Sequence, residues 1–183
     1  MMKKLCQTFI TIALILCLAS AVSAQSKAEA ELVSEELMNT EFQPLSGSTP
    51  IRLADYRGGV VVLVLWASWC GPCRMAVEGL NDFNEEYSFR HVEVLGLTTE
   101  DPAKEFNDVQ SFLDNNRVDF KLGWLEGDKG KALLTETSVV PQILVIAGER
   151  VIVKRFRGWQ PEKTLRQLRK VVDNLLAHPP VRQ

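Results

Sequence analysis

Residues 60–65 read Val-Val-Val-Leu-Val-Leu and run into Trp66 without a polar break. The run does not alternate, so it predicts a strand covered on both faces, in a central position with helices on either side. After it, Val77, Leu80, Phe83 and Tyr87 recur at helical spacing. Gly79 interrupts that helix at a cost of about 1 kcal/mol relative to alanine. Residues 91–97 predict a second strand. Asp101 and Pro102 then mark a helix start, with Asp as N-cap and Pro at the first helical position. Phe106, Val109, Phe112 and Leu113 give that helix a buried face, and Asn115-Asn116 end it.

The remaining pattern is shorter in period. Residues 120–122 predict a short strand and residues 129–135 a short helix. Residues 143–146 and 151–153 flank Ala147-Gly148-Glu149-Arg150 and predict a hairpin. Pro161 opens a final helix with Leu165, Leu168, Val172 and Leu175 on one face, ended by His178-Pro179-Pro180. Upstream, the turn-rich stretch 43–50, between Phe42 and Ile51-Arg52-Leu53, predicts a small β-hairpin. Residues 55–59 turn the chain into the main strand, and residues 27–40 read as a linker or a short helix with a thin apolar face. The order predicts an α/β fold: a mixed sheet flanked by helices, its first crossover right-handed.

The first 24 residues stand apart. Lys3 and Lys4 precede an apolar run from Leu5 to Leu18, and Val22-Ser23-Ala24 supplies a cleavage site. This is the pattern of a secretory signal peptide cleaved near Ala24, with a retained membrane anchor as the alternative. Leu16 precedes Cys17 where a lipidation signal wants a small residue. The expected organisation is therefore a signal peptide over 1–24, a linker or short helix over 25–41, one domain over 42–176 and a tail over 177–183.

Composition refines this picture. The chain has 183 residues, 46% hydrophobic and 24% charged, enough for one core. Without the leader, Lys+Arg falls from 21 to 19 against 23 Asp+Glu, a formal charge of −4. A mildly acidic chain carries no footprint for nucleic acid. Of four cysteines, only Cys70 and Cys73 remain. One pair in a chain exported to an oxidising compartment reads as one disulfide.

That pair lies in Trp69-Cys70-Gly71-Pro72-Cys73, between the buried strand and the amphipathic helix. The setting places Cys70 at a helix N-terminus, where N–H groups lack partners and the macrodipole is positive. The dipole is worth about 0.3–1 kcal/mol, up to ~2 in a partly buried site, and favours the thiolate near neutral pH. Cys73, one turn on, can attack a mixed disulfide at Cys70 and release the partner.

With strand, cysteine pair and a later proline in order, the chain resembles thioredoxin-fold proteins. The likeness is closest to the exported TlpA/ResA-like (redoxin) branch. It is carried by Trp66-Ala67-Ser68-Trp69-Cys70-Gly71-Pro72-Cys73, by Asp55-Tyr56-Arg57-Gly58, and by the extra helix between Asp101 and Asn116. The resemblance implies a thiol–disulfide oxidoreductase with Cys70 and Cys73 catalytic and no cofactor beyond their disulfide. It also implies a cis bond before Pro141 and a substrate surface of Trp69, Gly71, Pro72, Val140 and Pro141, with Gly158 near the same face. The implied partners are protein thiols or disulfides and a membrane thiol electron donor; the protein is expected to be a monomer. Departures are equally specific. Val64 stands where thioredoxins carry a buried Asp that accepts a proton. Glu100, after the second strand, is the substitute candidate for proton transfer, against the plainer reading of a solvated carboxylate. Glu78-Gly79 replaces a kinking proline. Val140 replaces a Thr common in reducing members.

Other readings compete. A purely structural disulfide gains little from closing so short a loop. Zinc lacks a second close ligand pair, since the mature chain offers only His91 and His178 besides the two Cys. A thiol peroxidase would want a Pro and a hydroxyl where Leu63 and Ala67 stand. A non-catalytic binding or chaperone-like module would use the thiols only to grip a partner. Residues 154–157, Lys-Arg-Phe-Arg, read as charges guarding an edge strand.

Overall fold

The computed structural model describes residues 31–125, 127, 133, 134 and 139–179. The expected leader, most of the helix expected over 129–135, Ser138 and the end of the tail lie outside the described residues. In chain order the elements are α1 (Glu35–Asn39), β1 (Val60–Trp66), α2 (Gly71–Tyr87), β2 (Val92–Thr98) and α3 (Pro102–Asn115). They continue with β3 (Lys121–Trp124), β4 (Gln142–Ala147), β5 (Val151–Arg157) and α4 (Pro161–Ala177).

The strands form one mixed sheet in the order β3-β2-β1-β4-β5. β1 runs parallel to β2, with Val60 opposite Val92 and Trp66 opposite Thr98, and antiparallel to β4. Every residue of β1 is buried, as its unbroken apolar run predicts. Because side chains alternate across a strand, β1 feeds two cores. Val60, Val62, Val64 and Trp66 pack with Val77, Leu80 and Phe83 of α2, Val109 and Phe112 of α3, and Leu168 and Val172 of α4. Val61, Leu63 and Leu65 pack with Leu37 and Met38 of α1, with Leu53, and with Leu125 and Leu133. The three long helices thus share one face, and short segments close the other.

Those short segments in part correct the sequence pattern. Of the linker and the short helix that residues 27–40 allow, the structure takes the helix, α1, and docks it with Leu37 and Met38 buried. Ser34 caps α1 by accepting a hydrogen bond from Leu37 N at 3.2 Å. Arg57 pairs with both Glu35 and Glu149. The expected hairpin around Phe42 and Ile51 is confined to one reciprocal backbone pair. The loop after it pairs with β3 instead: Leu45 N donates to Leu122 O and Trp124 N to Gln43 O, both at 2.8 Å. On the far side, Leu32 bridges Val151. Both sheet edges are therefore partly covered by the chain's own N-terminal half, which limits edge-to-edge association.

Two further expectations are corrected. Phe106 is exposed, not buried; its ring lies 6.3 Å from that of Trp124. α3 buries only Val109 and Phe112, because it leans on the sheet margin with a narrow stripe. Gly79 is not merely a weak point in α2. A Cβ there would stand 2.7 Å from Cζ2 of Trp159 and 3.3 Å from Cδ1 of Leu165, so the missing side chain admits the indole from the start of α4.

Candidate redox site at the start of α2

β1 ends at Trp66, and the turn Ala67-Ser68-Trp69 delivers the chain to α2. Cys70 is the N-cap: its backbone is extended, and its Sγ accepts a hydrogen bond from Cys73 N at 3.2 Å. A sulfur here takes the position usually held by a Ser, Thr, Asp or Asn oxygen. Gly71 and Pro72 open the helix; proline fits because the first N–H groups have no helical acceptor. Cys70 and Cys73 are joined as a disulfide, their Cα atoms 5.2 Å apart. Cys73 is fully enclosed at 0% exposure, and Cys70 keeps 5%. Around them Trp69 is 72% exposed, and Gly71, Pro72 and Val139 are exposed. Cys70 is therefore less open than its setting suggests, a small aperture in an exposed, largely apolar rim.

The second wall comes from the strand opposite. The Val140–Pro141 bond is cis, as the resemblance implies. The Val140 carbonyl oxygen lies 3.6 Å from Cys70 Sγ. Gly158, with φ of +72°, turns the chain after β5 so that its N–H donates to Pro141 O at 2.8 Å. That φ strains any residue bearing a Cβ. Of the surface the resemblance implies, Val140 is thus brought to Cys70 Sγ by its carbonyl, Pro141 follows it across the cis bond, and Trp69, Gly71 and Pro72 flank Cys70 along the chain. Val64 lies fully buried in β1 and offers no ionisable group.

Glu100 is the site's main surprise. It is 4% exposed, so the solvated reading is wrong. Ser68 N donates to Glu100 Oε2 at 2.8 Å, and Thr98 Oγ1 donates to the same oxygen at 2.7 Å. Ser68 Oγ donates to Oε1. Its partners are Ser68 and Thr98, and neither sulfur is among them; it ties the end of β2 to the turn before Cys70. Sequence reasoning missed Ser68 and Thr98. The available signal was a hydroxyl inside the Trp-Ala-Ser-Trp run and another at the end of an apolar strand. Beside this brace a cleft of about 660 Å³ opens between the turn and α3, lined by Ser68, Trp69, Arg74, Glu100, Glu105 and Asp108 among others. Among the described residues, no three His, Cys, Asp or Glu side chains gather to hold a metal.

Residues 33–155 match the AhpC/TSA family. The chain is 30% identical over 148 residues to the thiol:disulfide interchange protein HelX of Rhodobacter capsulatus, covering 80% of this chain and 78% of that one. It is 24% identical over 149 residues to the thiol-disulfide oxidoreductase ResA of Bacillus cereus, covering 80% and 82%. Among solved structures, a secreted thiol-disulfide isomerase from Corynebacterium glutamicum superposes with a TM-score of 0.62 at 23% identity, over 82% of this chain and 95% of that one. The buried five-stranded sheet, the cysteine-capped helix and these matches together place the chain in the AhpC/TSA family, on a thioredoxin-like fold, beside the ResA- and HelX-type proteins.

Proposed function

We propose that this protein is an exported thiol–disulfide oxidoreductase that reduces disulfides in other proteins. The observation that carries the reading is Cys70 itself. Its sulfur caps α2, receives the Cys73 N–H and faces the Val140 carbonyl across an exposed rim. The relatives named above support the same chemistry.

In the reduced state, the Cys70 thiolate attacks one sulfur of a substrate disulfide. That S–S bond breaks, a mixed disulfide forms at Cys70, and the departing substrate sulfur takes a proton. Cys73 then gives up its proton and attacks Cys70 Sγ. The Cys70–Cys73 disulfide forms and the second substrate sulfur leaves. Two electrons and two protons have passed to the substrate. An incoming extended chain can run beside Val140 and Pro141, with Trp69, Gly71 and Pro72 completing the surface. Glu100 holds the turn in place and is the candidate for the Cys73 proton. The working protein needs no cofactor beyond its disulfide and acts as a monomer after cleavage near Ala24. It is then recharged by a membrane thiol donor. Peroxide reduction fits less well, because the positions that would orient peroxide are the buried, hydroxyl-free Leu63 and Ala67.

Insulin-disulfide reduction with a small dithiol as electron source tests the proposal. Cys70→Ser abolishes turnover, and Cys73→Ser accumulates a mixed disulfide with the substrate. Full activity in the Cys70→Ser protein, or a wild-type protein that binds once and never turns over, overturns it.

A further inference from the structure

The edge strand β5 carries an arginine that is not on the edge. Arg155 lies opposite Leu144 in the β4–β5 register, and its side chain is only 7% exposed. Burying a guanidinium is costly unless its donors are matched. Here Nη1 donates to Gln142 Oε1 at 3.0 Å and to Leu133 O at 2.8 Å, and Nη2 pairs with Glu31. Nε has no partner, so the arrangement is not one of maximal satisfaction.

Gln142 is itself fully buried, directly after Pro141. An amide has one acceptor end and one donor end. Because Arg155 requires the oxygen, the Gln142 NH₂ must point the other way, and it donates to Val139 O at 3.0 Å. Val139 precedes the residue whose carbonyl stands at Cys70 Sγ. The arginine therefore fixes the direction of an amide, and that amide holds the loop opposite the reactive sulfur.

The same chain of contacts reaches the N-terminal segment. Ile152 N donates to Glu31 O at 2.8 Å, and Val33 N to Arg150 O at 3.0 Å, laying residues 31–33 against β5 beside the Arg155–Glu31 pair. The segment that leads into the domain thus helps anchor the guanidinium.

We infer that Arg155, acting through Gln142, is a positioning residue that sets the Val139–Pro141 loop for docking of a substrate polypeptide, without taking part in sulfur chemistry. The inference rests on the thiol–disulfide reading given above.

Two variants separate the links. Arg155→Met keeps the apolar stem and removes the fork. Gln142→Glu keeps an acceptor for Arg155 and removes the donor to Val139 O, so it retains the buried pair if loss of Arg155 alone prevents folding. Both are expected to raise KM for insulin by about tenfold, the scale of one lost buried hydrogen bond. The kcat stays within about twofold of wild type, a change too small to represent a lost interaction of that size. Arg155→Lys recovers part of the KM. A merely structural role would lower the unfolding midpoint and leave the KM-to-kcat split unmoved, and that result overturns the inference. Hydrogen exchange at the Gly158 amide, which bonds to Pro141 O, reads the loop without any substrate. Faster exchange in both variants supports the inference and unchanged exchange sinks it. A wild-type protein lacking Cys70-dependent turnover would instead defeat the functional reading, with the exchange result still deciding this one.

Discussion

Cys70 Sγ lies 3.6 Å from the carbonyl oxygen of Val140. Across the same sulfur, Cys73 N–H approaches to 3.2 Å. The donor favours a thiolate, while the carbonyl offers a thiol proton an acceptor and disfavours the anion. The N–H is backed by the other unpaired donors of the first turn of α2, so stabilisation of the anion wins. In the reduced protein at pH 7, Cys70 is therefore expected to react with iodoacetamide faster than in the same chain unfolded in urea, while enclosed Cys73 reacts only after unfolding. Mass spectrometry of the labelled peptide checks both; equal rates for Cys70 in the two states would contradict the assignment.

Glu100 accepts hydrogen bonds from Ser68 N, Ser68 Oγ and Thr98 Oγ1 in a nearly closed site. Glu100→Ala strands those donors, at a cost of about 1–3 kcal/mol. It also frees the turn that carries Trp69, so disulfide exchange slows as stability falls. Glu100→Gln restores little, because its NH₂ would face another donor. Urea unfolding and insulin reduction on the same samples provide the test. A Glu100→Ala protein as stable as wild type would remove the bracing role.

Gly79→Ala opposes two effects of similar size. Alanine gains about 1 kcal/mol in helix propensity. Its Cβ would press to 2.7 Å of the Trp159 ring, and overpacking typically costs about 1–3 kcal/mol. Packing is expected to win, lowering the urea midpoint and perturbing indole fluorescence. A raised midpoint would mean that Trp159 moves aside freely.

Tyr87 supplies an alkaline signature. Burial, reinforced by its hydrogen bond to Asp173 at 3.0 Å, pushes its phenol up to about 12 from an ordinary 10.0. The raised value favours the protonated form in the fold. Its stabilisation is full below about pH 10 and is lost as pH rises through about 12. Tyr87→Phe keeps the ring stacked on Phe83 but loses the hydrogen bond, costing about 1 kcal/mol at neutral pH. The difference between the two proteins should shrink across the window from pH 10 to 12, measured by denaturant midpoints. A constant difference would refute the linkage.

Much of this is legible in the sequence. The unbroken run in β1, the stripe on α2, and the position of the cysteines between them follow from spacing alone, and they carry most of the site. The missed features depend on partners distant in sequence. Glu100 looked solvated because nothing local shows that Ser68 will donate to it from the adjoining strand's exit. Arg155 looked like a guard on an exposed edge, since the sequence does not show that residues 31–33 cover that edge. Phe106 matched the helical period, yet period locates a stripe and not how wide a surface will receive it. Gly79 reads from sequence as a weak point in a helix, and only the packing of Trp159 against it shows the notch that its missing side chain provides.

Under the proposed exchange, the enclosure of Cys73 gives the chemistry an order in time. No outside thiol can address the inner sulfur while the outer one stands in the aperture. Every visitor, whether it brings electrons or takes them, must therefore arrive at and depart from the same atom. Donor and acceptor cannot be served together, so they compete for one doorway and must take turns.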